Sequence, residues 1–312
     1  MQIELRHLRY FLAVARSGHI TRAAEALGIQ QPPLSQQIKA LESELGMALF
    51  HRHPKGVSLT DGGRLFHAEA QRILADVEAM TQRMARVARG VQGVLAVGFT
   101  SSAAAHDFTP ETLRECRHRF PEIELVLSEN NAADITEAVA AGRLHCGFLR
   151  VPVARPEGVE LHTLLNEPAM VALPLDHRLA KRRGAVAVED LHDEPVVLVR
   201  RPGAPGLYAN LLALCARRDV VPRVVAEVDR MMTNLNLVAA GVGLSVVPAS
   251  MQGAHPHAIV YRPLARPARL DAPLTLAYRR ADGNGPAATF VALVRELATL
   301  RRPTRRPSRR DA

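Results

Sequence analysis

LRHLRYFLAVARSGHITRAAEALGIQQPPLSQQIKALESELGMALFHRHPKGVSLTDGG, residues 5–63, carries the reading that decides the fold. Residues 3–17 predict a helix, with Leu5, Leu8, Leu12 and Ala15 at helical spacing. Ser17-Gly18 stops it. Thr21 is placed to cap a second short helix, Arg22 to Leu27, whose small residues Ala23 and Ala24 suit a close neighbour. Gly28 falls where a helix end needs a left-handed residue. Pro32-Pro33 opens a third helix, because the first turn has amide hydrogens without partners in any case. That helix runs to Leu45, with Leu34, Ile38, Leu41 and Leu45 on one face and Gly46 closing it. In residues 49–60 two short apolar-bearing arms flank Pro54-Lys55-Gly56, which predicts a small hairpin or wing. A short helix, a glycine turn and a second helix with a polar outer face have the geometry of a major-groove reader.

The chemistry of that outer face agrees. Opposite the apolar face lie Pro32, Ser35, Gln36 and Lys39, with Gln31 and Pro33 at the helix entry. Glutamine pairs bidentately with adenine, lysine reaches guanine or phosphate, and serine is adaptable. Thr21 and Arg22 sit at a helix start, where hydroxyl, guanidinium and free amides suit a phosphate. Arg52, His53 and Lys55 on the wing suit the backbone or the minor groove. For each of these side chains simple solubility is the competing reading.

Working outward, Asp61 to Arg89 form one long helical pattern. Phe66, Ala70, Ile73, Val77, Met80, Met84 and Val87 repeat at alternating spacings of four and three. This is a coiled-coil seam. It predicts pairing with a second copy; a helix packed on its own domain is the alternative. The Arg-, Glu- and Gln-rich flanks favour pairing. Gly90 to Gly93 break the helix, and the texture then changes. Strands are predicted at 94–99, 123–127 and 145–149, with helices near 109–119 and 134–141. A second set follows from residue 163: strands at 168–173, 196–199, 223–228 and 244–247, with helices near 206–218 and 232–241. A strand at 274–278 and a helix near 286–300 close the folded part. The alternation predicts right-handed βαβ units and parallel sheets.

Of the +9 net charge, +4 lies in residues 1–90, none in 91–300 and +5 in 301–312. A basic head on a balanced body fits a polyanion reader joined to a module that binds something else. The tail RRPTRRPSRR (301–310) is broken by proline and uniformly basic, the composition of a disordered segment. Three widely spaced cysteines, Cys116, Cys146 and Cys215, fit reduced thiols, and no apolar run is long enough for a spanning helix or a secretory signal. The expected location is cytoplasmic. Nucleophile-elbow, P-loop and HExxH motifs are absent, the pairs His51/His53 and His255/His257 lack further ligands nearby, and neither a metal nor a catalytic role is expected.

Residues 5–63 resemble the winged helix-turn-helix of LysR-type transcriptional regulators. The resemblance extends over the long helix, EPAMVALPLDHRLA (167–180) and MMTNLNLVAAGVGLSVVPAS (231–250), so it covers nearly everything but the tail. Pro33 stands where many members have a small residue, and Gln36 where many have arginine. The resemblance implies an α+β multi-domain chain: a winged helix-turn-helix (1–60), a linker and dimerisation helix (61–90), an effector domain resembling periplasmic binding proteins (91–302) and a basic tail (303–312). Lobe I of the effector domain is expected at 91–162 and 268–302, lobe II at 163–267. It also implies a dimer of dimers on an interrupted palindrome of double-stranded DNA, contacts with RNA polymerase, and a small-molecule effector between the lobes with no other cofactor.

Ligands of such sheets bind beyond the strand ends, at helix starts. Thr100, Ser101 and Ser102 follow the first strand, Asn130 and Asn131 the second, and Arg150 the third after Phe148; Arg200 and Arg201 follow a strand of the other lobe. Hydroxyls facing arginines suit a small organic or aromatic-derived carboxylate. Two readings stay open here. The hydroxyls could be ordinary helix caps, and Arg150 could form an ion pair between lobes or subunits.

Overall fold

The structure, a computed structural model, describes residues 3–200, 206–266, 268 and 270–301. The chain divides into two compact units, Met1–Ala85 and Arg86–Ala312. Among the described residues no helix is long and apolar enough to cross a membrane.

The first unit contains α1 (Leu5–Ser17), α2 (Ile20–Ala26), α3 (Gln31–Leu45), β1 (Phe50–His53), β2 (Gly56–Leu59) and most of α4 (Asp61–Ala88). Leu8, Phe11, Val14, Leu34, Ile38, Leu41 and Leu49 form its core. Phe11 sits at the centre, edge-on to Phe66 at 4.8 Å between ring centroids. Gly28, at φ 66°, turns the chain after α2, and the Ile29 amide donates to Ala24 O to satisfy the helix end. The start of α2 differs from the sequence expectation. The helix begins at Ile20 with His19 in the cap position, and Thr21 is an exposed first-turn residue rather than a cap. The Ser17 hydroxyl holds that turn instead, donating to His19 O (2.8 Å). β1 and β2 pair antiparallel from Phe50↔Leu59 to His53↔Gly56 and form the wing. Its turn residue must be glycine: at Gly56 (φ 129°) a Cβ would lie 2.2 Å from Gly18 O. That close approach lets the Val57 amide donate to Gly18 O (2.8 Å), tying the wing to the α1–α2 turn.

On α4 the apolar stripe has two parts. Ala70 is fully buried and Phe66 is packed on the core of its own head, so Phe66 is corrected from seam to core. Phe11 and the wing fill that side of the helix first. Ile73, Met80, Met84 and Val87 remain between 40% and 58% exposed, with Val77 half-buried between them.

The second unit runs β3 (Gly93–Phe99), α5 (Ser101–Ala104), α6 (Phe108–Arg119), β4 (Ile123–Glu129), α7 (Ala132–Ala140), β5 (Cys146–Arg150), β6 (Val159–Leu165), β7 (Ala169–Pro174), α8 (Arg178–Lys181), β8 (Pro195–Val199), α9 (Gly206–Ala216), β9 (Arg223–Val228), α10 (Met231–Ala239), β10 (Ser245–Pro248), β11 (Ile259–Pro263), β12 (Leu274–Arg279) and α11 (Gly285–Arg301). Lobe I is a sheet of order β4-β3-β5-β12-β6, with β3 parallel to β4 and β5, and β12 antiparallel to its neighbours β5 and β6. Lobe II repeats this order. β9 pairs parallel with β8, Val196 of β8 bridges to Leu244 beside β10, and β10-β7-β11 is antiparallel. Each lobe therefore takes one inner antiparallel strand from the chain's passage between lobes: β7 on entry to lobe II, β12 on return to lobe I.

These sheets are mixed, where wholly parallel ones were expected. Strand β6 was not anticipated, because its alternation of Val159 and Leu161 with Glu160 and His162 is short and breaks at Thr163-Leu164-Leu165. It pairs with β12, so lobe I extends to Leu165 and not only to residue 162. The crossings lie side by side. Ala169 N donates to Leu270 O and Ala272 N to Glu167 O, each at 2.8 Å, around a Pro168↔Asp271 bridge. Of the predicted basic tail, Arg301 is the last residue of α11, and the rest lies outside the described residues.

Candidate nucleic-acid interface and ligand cleft

In the head, Leu34, Ile38 and Leu41 pin one side of α3 into the core and so turn the other side outward. Gln31, Pro32, Pro33, Gln36 and Lys39 are exposed and Ser35 is half-buried. Thr21 and Arg22 are exposed in the first turn of α2; Arg52 and His53 are exposed on β1, and Lys55 in the wing turn. Sequence reasoning missed a support beneath this surface. His7 Nδ1 accepts from the Glu4 amide (3.1 Å), which leaves the ring proton on Nε2. Nε2 then donates to Gln37 Oε1 (2.9 Å), fixing the amide of the residue beside Gln36.

Between the lobes is a cleft of about 70 Å³. Lobe I contributes Thr100, Ser101, Ser102, Asn130, Asn131 and Ala132; lobe II contributes Val199, Arg200, Gly206, Leu207, Tyr208, Asp229, Arg230 and Met231. Every one of these residues sits at a strand end or at the start of the helix that follows. Thr100 and Asn131 are helix caps, their side-chain oxygens accepting from Ala103 N (3.2 Å) and Asp134 N (3.0 Å). The Ser101 hydroxyl has no partner among the described residues. Tyr208 borders the cleft, but its side chain is almost wholly buried in lobe II. Its hydroxyl donates to Ser245 Oγ (2.7 Å) and accepts from Asn234 Nδ2 (2.6 Å); Ser245 in turn donates to Val197 O (2.9 Å). Burial raises the phenol's pKa, so it stays protonated.

Two predicted cleft residues are elsewhere. Phe148 is fully buried in lobe I, edge-on to Phe290, because β5 is an inner strand and this side chain faces the core. Arg150 is only 6% exposed, does not line the cleft and acts as a strut. Its guanidinium donates to Glu167 Oε1 (2.5 Å), Ser102 O (3.0 Å) and Ala272 O (2.6 Å). Glu167 also accepts from Ser250 N (2.6 Å) and Ser250 Oγ (2.9 Å), so one buried ion pair joins both crossings to both lobes. Desolvation lowers the Arg150 pKa, and Glu167 opposes that shift. Arg201 lies outside the described residues. Tyr208, Asp229 and Arg230 were missed, although the strand-then-helix rule that selects Thr100 and Asn130 applies to Asp229 and Arg230 as well.

Comparison with known proteins agrees with this architecture. Residues 5–64 match the family described as "Bacterial regulatory helix-turn-helix protein, lysR family", and residues 88–299 match the "LysR substrate binding domain". The HTH-type transcriptional regulator AlsR of Bacillus subtilis is 34% identical over 282 residues, 90% of this chain and 92% of that protein. The probable cat1 operon transcriptional activator of Acinetobacter lwoffii is 36% identical over 295 residues, 95% of this chain and 96% of its own length. Among solved structures, CbnR, a LysR family transcriptional regulator, superposes with a TM-score of 0.78 at 29% identity, over 94% of this chain and 100% of that one. Full-length CbnR in complex with its target DNA gives 0.77, over 95% and 100%. With a winged head, a two-lobed domain behind it and both family domains matched in order, the chain belongs to the LysR family of transcriptional regulators.

Proposed function

We propose that this regulator acts as a dimer of dimers in the cytoplasm, reads an interrupted palindrome near a promoter, and answers to a small organic or aromatic-derived carboxylate in the cleft. The observation that carries the proposal is the outward polar face of α3 on a fully packed head, joined in one chain to a cleft ringed by helix starts and hydroxyls. The DNA-bound CbnR structure supports the first half. Ser35, Gln36 and Lys39 read bases or phosphates; Gln31, Pro32 and Pro33 set the helix entry; Thr21, Arg22, Arg52, His53 and Lys55 hold the backbone. Ile73, Val77, Met80, Met84 and Val87 pair the heads. Thr100, Ser101, Ser102, Asn130, Asn131 and Arg200 contact the effector. Effector binding favours one lobe arrangement by its differential affinity, and this shifts contacts with DNA and RNA polymerase.

A gel-shift on the intergenic DNA upstream of the chain's own gene tests this. Binding is expected to be sequence-preferred and to weaken steeply with salt. Gln36→Ala is expected to cost about 1–3 kcal/mol of specific binding. Absence of sequence preference at low salt would sink the DNA half. Ser101→Ala is expected to reduce thermal stabilisation by small carboxylates while leaving DNA affinity intact; the reverse pattern would mean that the two halves are wrongly assigned.

A further inference from the structure

Among the described residues two arginines line the cleft, and both already hold a carboxylate. Arg200 pairs with Glu227 (2.6 Å), and both belong to lobe II, at the ends of neighbouring strands β8 and β9. Arg230 is different. Its Nη1 lies 3.5 Å from Oε1 of Glu129, the last residue of β4 in lobe I, next to the cleft residue Asn130. Arg230 itself is the residue before α10 in lobe II, and no side chain caps that helix. The pair therefore ties lobe I to lobe II at the side of the cleft. It brings a protein carboxylate to a cleft-lining arginine. Arg230 is 55% and Glu129 41% exposed, so the pair is of the weak, exchangeable kind.

We propose that Glu129 is a built-in surrogate for the effector's carboxylate: bound effector displaces it, and Arg230 becomes a ligand-holding, specificity-determining residue. This rests on the reading of the cleft as a carboxylate site. Arg200 cannot play the same part, because Glu227 rides on its own lobe and stays beside it however the lobes move. Glu129 leaves with lobe I. Exchange at Arg230 thus replaces a direct tie between the lobes by one made through the ligand, and this gives ligand binding a differential effect on their arrangement.

The test is calorimetric titration of the full-length chain with benzoate, and with benzamide as its uncharged counterpart. Both side chains are half exposed, so neither substitution removes a core contact. Glu129→Gln is expected to bind benzoate about twofold to fivefold more tightly, the reciprocal of losing a weak competing pair. Arg230→Gln is expected to bind it about tenfold more weakly or worse, because a charge-assisted bond is lost. In an Arg230→Gln background Glu129→Gln should add nothing, and benzamide affinity should follow none of these changes. If wild type binds benzoate and Glu129→Gln binds it no better, or improves it equally without Arg230, the surrogate role is wrong while the carboxylate reading stands. If neither wild type nor Glu129→Gln binds benzoate, both fall.

Discussion

At the residue scale, Arg150 has a role that its position in the chain does not disclose. It ends a strand, as a ligand-binding arginine would, yet its terminal nitrogens go to Glu167, Ser250 and two carbonyls. Arg150→Met would leave Glu167 buried and unpaired, at a cost of about 3–5 kcal/mol. Denaturant unfolding should show that loss, and Arg150→Met combined with Glu167→Gln should recover part of it. The sequence could offer Arg150 as a candidate but not its partner, because Glu167 is buried only when two crossings and two lobes have come together. His106 lies in the same surroundings. Burial lowers its pKa, with Glu167 raising and Arg150 lowering it. A histidine whose folded pKa is depressed adds stability above its unfolded value of about 6.5, and that stability is lost as pH falls through the folded pKa. Thermal melts between about pH 7 and 5 should therefore show His106→Asn to be less acid-sensitive than wild type. The thiols are expected to be inert: burial raises all three, Cys116 to about 11. Native protein should resist thiol reagents that label all three cysteines after unfolding.

At the element scale, periodicity was a good guide to where helices lie and a poor one to what covers them. The α4 repeat is continuous from Phe66 to Val87, but the head's own core takes its first two positions. A spacing of four and three reports a face, not its partner. The face left over makes a prediction: Met80→Asp should dissociate the assembly in sedimentation velocity. Met80 is 48% exposed in the single chain, so the head should stay folded. Strands followed the same logic. β5, buried along its whole length, was legible as an apolar run; in β6 the alternation Val159-Glu160-Leu161-His162 marks a half-buried strand but lasts only four residues before Thr163-Leu164-Leu165 breaks it.

On the scale of the whole molecule, the order of parts was legible because each has its own texture: a basic head, a heptad helix, then alternating strands and helices in a charge-neutral body. The insertion of a strand next to each crossing into the middle of its lobe's sheet was not, since it depends on which strands meet in space. Two units with separate cores should also respond separately. In calorimetry a bound carboxylate is expected to raise only the transition of residues 86–301, and operator DNA only that of the head. A single transition shifted equally by both would show that the units unfold as one.

The inserted strands also bear on how the protein is made. Domains generally fold as they leave the ribosome, the earliest part first. Lobe II has all five of its strands once Pro263 has emerged, whereas lobe I, begun at Gly93, waits for Leu274–Arg279 to fill the gap between β5 and β6. Until then one edge of β5 and both edges of β6 are unpaired, open to other chains and to proteases. Premature termination between Pro263 and Leu274 would therefore release a lobe II with all its strands attached to an open, aggregation-prone lobe I, and a nonsense codon even that late should be damaging.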